Sequence, residues 1–482
     1  MWLQATSFAW KNLTDPLVRR QFQKLAVLDD DFLPKEEHAE FFRIAAEMED
    51  IYSQAKVDNL SLEPDLTRIF ASSRNAEDLK KYWVGWRYAT GKKIRSQYVK
   101  FVEQSNEVAR ANGFNDRGEL WREPYESLTY EDDMAEQWEI LRPFYLEMHA
   151  YVRMKLVKLY GEEVVKPDGP IPAHLLDVKD FGELFTSMGM KRMTPEFLHY
   201  SVLEKQEAEA MKCYTLAGTM CAEDDFCLLH CTVPTQEDLA LVHHMMGNIQ
   251  YFQHYANQPF ALQWGANPSF HEAIGEVMEL SVVTPTHLHK IGFLDKVEND
   301  TDEINFLMFM ALEKIAFLPF SYLIDLWRWD VFRGSVNKLN DRWWQLRLQY
   351  QGLCPPVRRS ETDFDPGAKN HVPGDTPQIR HFFSYILQFQ LQELLCREAG
   401  HVGPLHTCDI YGSHAAGDKL AGLLRLGSSM PWQDALARMT GGSGKLDARP
   451  LLNYFAPLRR HIRESLGNST VGWTSGDHNI CP

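Results

Sequence analysis

The chain has 482 residues, 44% hydrophobic and 24% charged, the balance of a soluble globular protein with length enough for a large core. A formal net charge of −16 disfavours polyanionic partners, so neither nucleic acid nor an anionic membrane surface is expected. The opening Met1-Trp-Leu-Gln-Ala-Thr-Ser7 lacks the basic and apolar regions of a signal peptide, and no run reaches the ~20 apolar residues of a membrane span.

Helical periodicity dominates the chain. It predicts helices over residues 36–55, 76–112, 129–160, 236–255, 303–332 and 378–399. Thr235, followed by Gln236-Glu-Asp238, reads as an N-cap with an acidic first turn. Proline-rich stretches at 166–172 and 354–373 are loops, and convincing strands are few. The aromatic and arginine clusters at 82–87, 327–329 and 343–344 read as core aromatics with arginines at the surface. With no repeat or linker, one interleaved, mostly α unit over residues 1–482 is expected.

Eight cysteines are present, without zinc-ribbon spacing. Cys213 with Cys231, and Cys396 with Cys408, look like local disulfides; free buried thiols are the alternative in a cytosolic protein. Sequons at Asn12, Asn59, Asn299 and Asn468 point to an extracellular glycoprotein, against the absence of a signal peptide.

The segment Val242-His-His-Met-Met-Gly-Asn-Ile-Gln-Tyr251 has the frame of a zinc-peptidase helix. Such a helix carries two histidines at i and i+4 on one face, with a glutamate after the first as general base. Here His244 is followed by Met245 where the base belongs, and Asn248 replaces the second imidazole. Glu272, twenty-four residues after Asn248, is placed to be a third ligand. Hydrolysis by this route is not expected.

Longer blocks carry a family likeness. They include Leu62-Glu-Pro-Asp-Leu66, Gly169-Pro-Ile-Pro-Ala-His-Leu-Leu176, Gly265-Ala-Asn-Pro-Ser-Phe-His-Glu-Ala-Ile-Gly275, Lys314-Ile-Ala-Phe-Leu-Pro-Phe-Ser-Tyr322, Tyr350-Gln-Gly-Leu-Cys-Pro-Pro-Val357 and Phe364-Asp-Pro-Gly-Ala-Lys369. In these blocks the chain resembles the angiotensin-converting enzyme family of zinc peptidyl-dipeptidases, from about residue 33 to 473. The resemblance implies a helical, two-lobed ellipsoid with a deep central cleft and zinc on its floor.

It also implies roles residue by residue. The metal ligands would be His244, Asn248 in place of histidine, and Glu272, with Glu276 as a supporting carboxylate where the family has aspartate. Two remaining ligands would hold zinc weakly or not at all. Met245 cannot act as a base. His371 keeps the place of one transition-state donor, and His381 replaces the tyrosine that is the other. Lys369 keeps the lysine of the substrate-carboxylate pocket, while Gln378 replaces its tyrosine. A family block of about forty residues is missing after Leu176, and the pocket's glutamine with it. The family's substrate-binding strand edge reads Tyr214-Thr-Leu-Ala217 here. Arg87, Trp343 and Arg347 match one family chloride site, and Tyr125 with Arg380 the other. The pairs Cys213–Cys231 and Cys396–Cys408 match family disulfides.

Three readings follow. The chain is an inactive homologue binding a peptide or protein partner through the old cleft. Or it is a divergent zinc metallopeptidase releasing C-terminal dipeptides, with His254 or His271 as the extra ligand. Or it is an unstable truncated product.

Overall fold

The computed structural model describes residues 5, 7–27, 35–175, 201, 216–219, 226–230, 236–294 and 300–474. The expected mostly α architecture is what the chain adopts. Its principal helices are α1 (Pro16–Leu25), α2 (Lys35–Ser53), α3 (Ala76–Ala89), α4 (Gly91–Ala111), α5 (Tyr130–Tyr160), α6 (Gln236–Tyr255), α7 (Pro268–Val282), α8 (Asp300–Phe332), α9 (Leu339–Leu346), α10 (Ile379–Glu398), α11 (His414–Leu424), α12 (Trp432–Thr440) and α13 (Ala456–Leu466). Among the described residues four short strands accompany them: β1 (Ile171–Pro172), β2 (Leu216–Thr219), β3 (Phe226–Leu229) and β4 (Leu353–Cys354). β1 pairs parallel with β4, and β2 pairs antiparallel with β3 in the register Ala217↔Leu228.

Local chemistry sets the helix ends. Asp15 caps α1 by accepting from the Leu17 and Val18 amides, ahead of Pro16 at the first helical position. Asn75 caps α3, and Asn267, followed by Pro268, caps α7. The start of α10 borrows its cap from α8: Asp325 Oδ2 accepts from the Gln378 and Ile379 amides at 2.7 and 2.6 Å.

One predicted helix is two. The pattern over 76–112 is continuous, but the chain bends at Thr90, whose hydroxyl donates back to the Trp86 carbonyl. Gly91 then seats against the backbone of another segment. A Cβ there would lie 1.9 Å from the Phe364 carbonyl oxygen. Periodicity carries no trace of that approach.

Two clusters dominate the core of the described residues. The larger joins α5, α6, α7, α10 and the C-terminal helices through residues such as Trp138, Phe270, Ile274, Phe383 and Phe455. The second packs Phe41, Trp83, Tyr98 and Phe101 against Trp327, Trp343, Trp344 and Phe364. Helix α8 feeds both, giving Met310, Ile315 and Leu318 to the first and Leu323, Ile324 and Trp327 to the second. By length and hydropathy Glu303–Phe332 would suffice to cross a membrane, but 61% of its apolar window is buried inside the protein. It serves here as a core helix, which corrects the expectation that no stretch is long and apolar enough.

Distant segments are tied by buried arginines. Arg153 of α5 donates to the carbonyls of Gly169 at 2.9 Å, Gly472 at 2.5 Å and Thr470 at 2.6 Å. Arg20 of α1 donates to the Ser428 carbonyl and forks onto Glu126 at 2.9 and 2.8 Å. Cys396 and Cys408 form the expected disulfide. The Cys213–Cys231 pair, the cap at Thr235, the sequon asparagine Asn299, the strand residues Tyr214 and Thr215, and the site of the missing block after Leu176 all lie outside the described residues. Asn12, Asn59 and Asn468 are exposed.

Candidate functional site

Helices α6 and α7 cross where neither carries a side chain. A Cβ on Gly247 would come within 2.9 Å of the Gly275 Cα, and one on Gly275 within 2.5 Å of the His244 ring. The two glycines therefore let the backbones meet and lay His244 flat on α7. That places both imidazole nitrogens among carboxylates. Nε2 is 3.8 Å from Glu272 and Nδ1 is 3.8 Å from Glu279. Burial alone would depress the imidazole's pKa. The adjacent Glu279 carboxylate and the charges of Glu276 and Glu272 outweigh it and raise the pKa.

Glu272, Glu276 and Glu279 share one face of α7 at i, i+4 and i+7. Each meets a cation. Glu272 lies 3.6 Å from Arg380 Nε and 3.8 Å from His381 Nδ1. Burial opposes its ionisation, but His381, Arg380 and His244 together hold its pKa below the ordinary value. Glu276 and Glu279 turn toward α8. There Lys314 Nζ donates to Glu276 Oε2 and to Glu279 Oε1 at 3.3 Å, and forms an ion pair with Glu313 Oε1 at 2.9 Å. The Lys314 side chain is 1% exposed, and its ammonium stands 5.0 Å over the Tyr385 ring. Burial disfavours that charge, yet the three glutamates raise its pKa well above the ordinary lysine value. The donor atoms of His244, Glu276 and Glu279 all lie within 4.8 Å of one another.

These groups line one end of a cavity of about 790 Å³. Its other parts carry Trp83, Trp86, Arg87, Phe320, Arg347 and Lys369.

Met245 and Asn248 are not in that lining. Met245 packs with Phe226, Leu228 and Ile249 under the β2–β3 pair. The Asn248 amide oxygen is 3.3 Å from His271 Nδ1. His271 is packed edge-on and tilted among the Tyr251, Phe252 and Tyr255 rings, and burial lowers its pKa to about 4. His254 bonds through Nδ1 to the Gln250 carbonyl at 2.7 Å. Each histidine thus has local partners of its own.

The donor and pocket residues divide. His381 and Lys369 line the cavity, and burial lowers the His381 pKa to about 4. His371 sits in the loop before α10, where its carbonyl accepts from Arg328; burial and then Lys369 lower its pKa to about 2. Gln378 is 1% exposed at the α10 N-terminus and is not in the lining.

Arg87 and Arg347 do face the cavity, with Arg87 stacked 3.4 Å over Trp83 and Arg347 5.6 Å from the Trp343 ring centre. The Nε atoms of both are buried without a hydrogen bond. Burial, reinforced by their mutual repulsion for Arg87, brings their pKa values down to about 9 and about 10. At the second expected anion site the Tyr125 hydroxyl is bonded to Ser269 Oγ at 3.2 Å, and Arg380 is turned to Glu272.

Comparison with known proteins places this geometry. The family profile described as Angiotensin-converting enzyme matches residues 1–183 and 178–473. The chain belongs to the angiotensin-converting enzyme family. It is 45% identical over 516 residues to angiotensin-converting enzyme of Bos taurus, covering 96% of this chain and 39% of that protein. It is 42% identical over 520 residues to the angiotensin-converting enzyme-like protein Ace3 of Mus musculus, covering 98% of this chain and 70% of the relative. For angiotensin-converting enzyme of Theromyzon tessulatum the values are 39% identity over 502 residues, 94% and 81%. The chain thus spans about two fifths of the mammalian enzymes it matches.

Within this zinc-dependent family, sequence reasoning placed His244 and Glu272 but missed Glu279, Glu313 and Lys314 as site residues. The signal was present. Acidic residues at 272, 276 and 279 line one face of an otherwise apolar helix, and such a face demands a cation opposite.

Proposed function

We propose that this member of the angiotensin-converting enzyme family binds a peptide or a protein partner in or around the cavity without hydrolysing it. The observation that carries the reading is Met245. It stands at the position of the family's base, and its thioether is packed under β2–β3 rather than aimed into the cavity.

The residues present do not fit the family's zinc. Asn248 is engaged by His271, leaving His244 and Glu272 of the expected ligand set. The alternative set of His244, Glu276 and Glu279 already has an ammonium on two of its three members. A divalent ion and Lys314 would repel strongly across those shared oxygens in a buried site. That set is the one observation favouring a divergent metallopeptidase, and Lys314 weighs against it.

Binding has support of its own. The cavity presents aromatic surface beside charged groups, the mixture that holds peptides. β2 pairs on one side with β3, and among the described residues no strand covers its other edge, where a peptide backbone can add. The two core clusters bridged by α8 support the two-lobed form. The meeting of the two matched segments at residues 178–183 supports an omitted block there. Arg87 and Arg347 support chloride binding at the first anion site, whereas the engagement of Arg380 weighs against the second. The Cys396–Cys408 disulfide and the exposed sequon asparagines support a secretory route and glycosylation. The net charge supports the exclusion of nucleic acid.

The test is release of C-terminal dipeptides from a short peptide by the folded chain, with added zinc and chloride and a chelator control. The expected result is no chelator-sensitive turnover. Clear chelator-sensitive turnover overturns the reading.

A further inference from the structure

Three carboxylates from two helices converge on one ammonium. Glu276 and Glu279 come from α7 and Glu313 from α8, and all three reach Lys314 Nζ. Glu276, Glu279 and Glu313 have side chains only 6%, 10% and 19% exposed, so water screens them little. Left without a cation, such a group of buried charges is strongly destabilising.

A simple lysine–glutamate pair needs one carboxylate, and here there are three. His244 adds a nitrogen donor 3.8 Å from Glu279. One imidazole and two carboxylates within 4.8 Å of one another are the nitrogen and oxygen donors that zinc accepts. Lys314 therefore sits in the field of a site whose donor chemistry suits a divalent ion. It satisfies the charge demand with a group that belongs to the chain.

We propose that Lys314 is a built-in counter-ion in a latent divalent-cation site made by His244, Glu276 and Glu279. The ammonium and a metal compete for the same glutamate oxygens, and the site takes zinc only when the ammonium is removed. The proposal rests on the preceding reading that the family's zinc does not fit the native chain. It adds a second location, one to two helical turns along α7 from Glu272, and names Lys314 as the group that fills it.

The test uses the full chain, unmodified and as K314A and K314M, the second retaining most of the apolar stem. Each protein is stripped with chelator and melted with and without zinc, and retained zinc is counted after desalting. The unmodified chain melts at the same temperature in both conditions and retains no zinc. Both lysine variants melt lower in chelator, gain several degrees with zinc, and keep about one ion per chain. Adding E279A to K314M abolishes both gains.

Two results would overturn the proposal. One is zinc stabilising the unmodified chain in a way that E279A removes, because the metal would then bind with Lys314 in place. The other is indifference of both lysine variants to zinc. Turnover is not read in this experiment. A chain that hydrolyses peptides would defeat the proposed function, whereas zinc-indifferent K314A and K314M would defeat only the counter-ion.

Discussion

The ring of His244 rests on the bare backbone of Gly275, so closely that a Cβ on Gly275 would fall 2.5 Å from its Cδ2. A methyl group there must push out either the imidazole or helix α6. G275A is expected to cost about 1–3 kcal/mol by overpacking. The matched control is G422A on α11, where a Cβ meets nothing within 4 Å. Alanine should stabilise that helix by about 0.5–1 kcal/mol. Denaturant midpoints of the two variants should move in opposite directions. A neutral G275A would show that the helices part enough to admit a methyl group.

Restoring the missing zinc-helix residues should recover the metal without the reaction. In M245E/N248H the second imidazole returns, and zinc binding is expected by metal analysis. Dipeptide release should stay near background, because Gln378 is out of the cavity and cannot replace the pocket's tyrosine. The new carboxylate also leaves an apolar nest of Phe226, Leu228 and Ile249, at a cost of about 1–3 kcal/mol. Fast turnover by this variant would mean that the carboxylate pocket has been given too much weight.

Glu126 should make part of the stability depend on acid. Burial opposes its charge, but the bonds and charges of Arg20 and Lys24 outweigh it and hold its pKa below 4.5. Its contribution is therefore complete above that ordinary value and is lost as pH falls through the lower folded-state value. E126Q is expected to cost about 2–3 kcal/mol at neutral pH by leaving buried Arg20 without its carboxylate. The deficit relative to the unmodified chain should shrink as pH falls below about 4. A pH-independent deficit would assign the loss to packing.

The Cys396–Cys408 bond closes a short loop, with a sequence separation of 12, at the end of α10. Replacing both cysteines by alanine is expected to cost about 2–4 kcal/mol, read as a lower denaturant midpoint. Reducing agent should lower the midpoint of the unmodified chain by more than it lowers that of the double variant, since Cys354 is disulfide-bonded in both.

Much of the fold was legible because burial writes a period into the chain. The helices predicted over 129–160, 236–255 and 303–332 differ from the observed ones by three residues or fewer at either end. The break at Thr90 was not legible, since its cause is a carbonyl contributed by Phe364. The site was readable where a motif names a residue, as for His244 and Glu272. It was opaque where the decisive partner lies on another helix. Lys314 stood in a family block with no role attached to it, and only α8 packed against α7 makes it the centre of the charge cluster. His254 and His271 looked like spare ligands, but a sequence does not say which way an imidazole turns.

The arginine ties bear on how the molecule is made. Arg20 is held by a carbonyl 408 residues later, and Arg153 by one 317 residues later. A chain emerging from the ribosome N-terminus first cannot complete either contact until most of it has been released. Until then the guanidinium groups on helices α1 and α5 lack part of their acceptor sets. Completion of this fold waits on the synthesis of residues 428–472, and the nascent chain before it is the stage most exposed to aggregation.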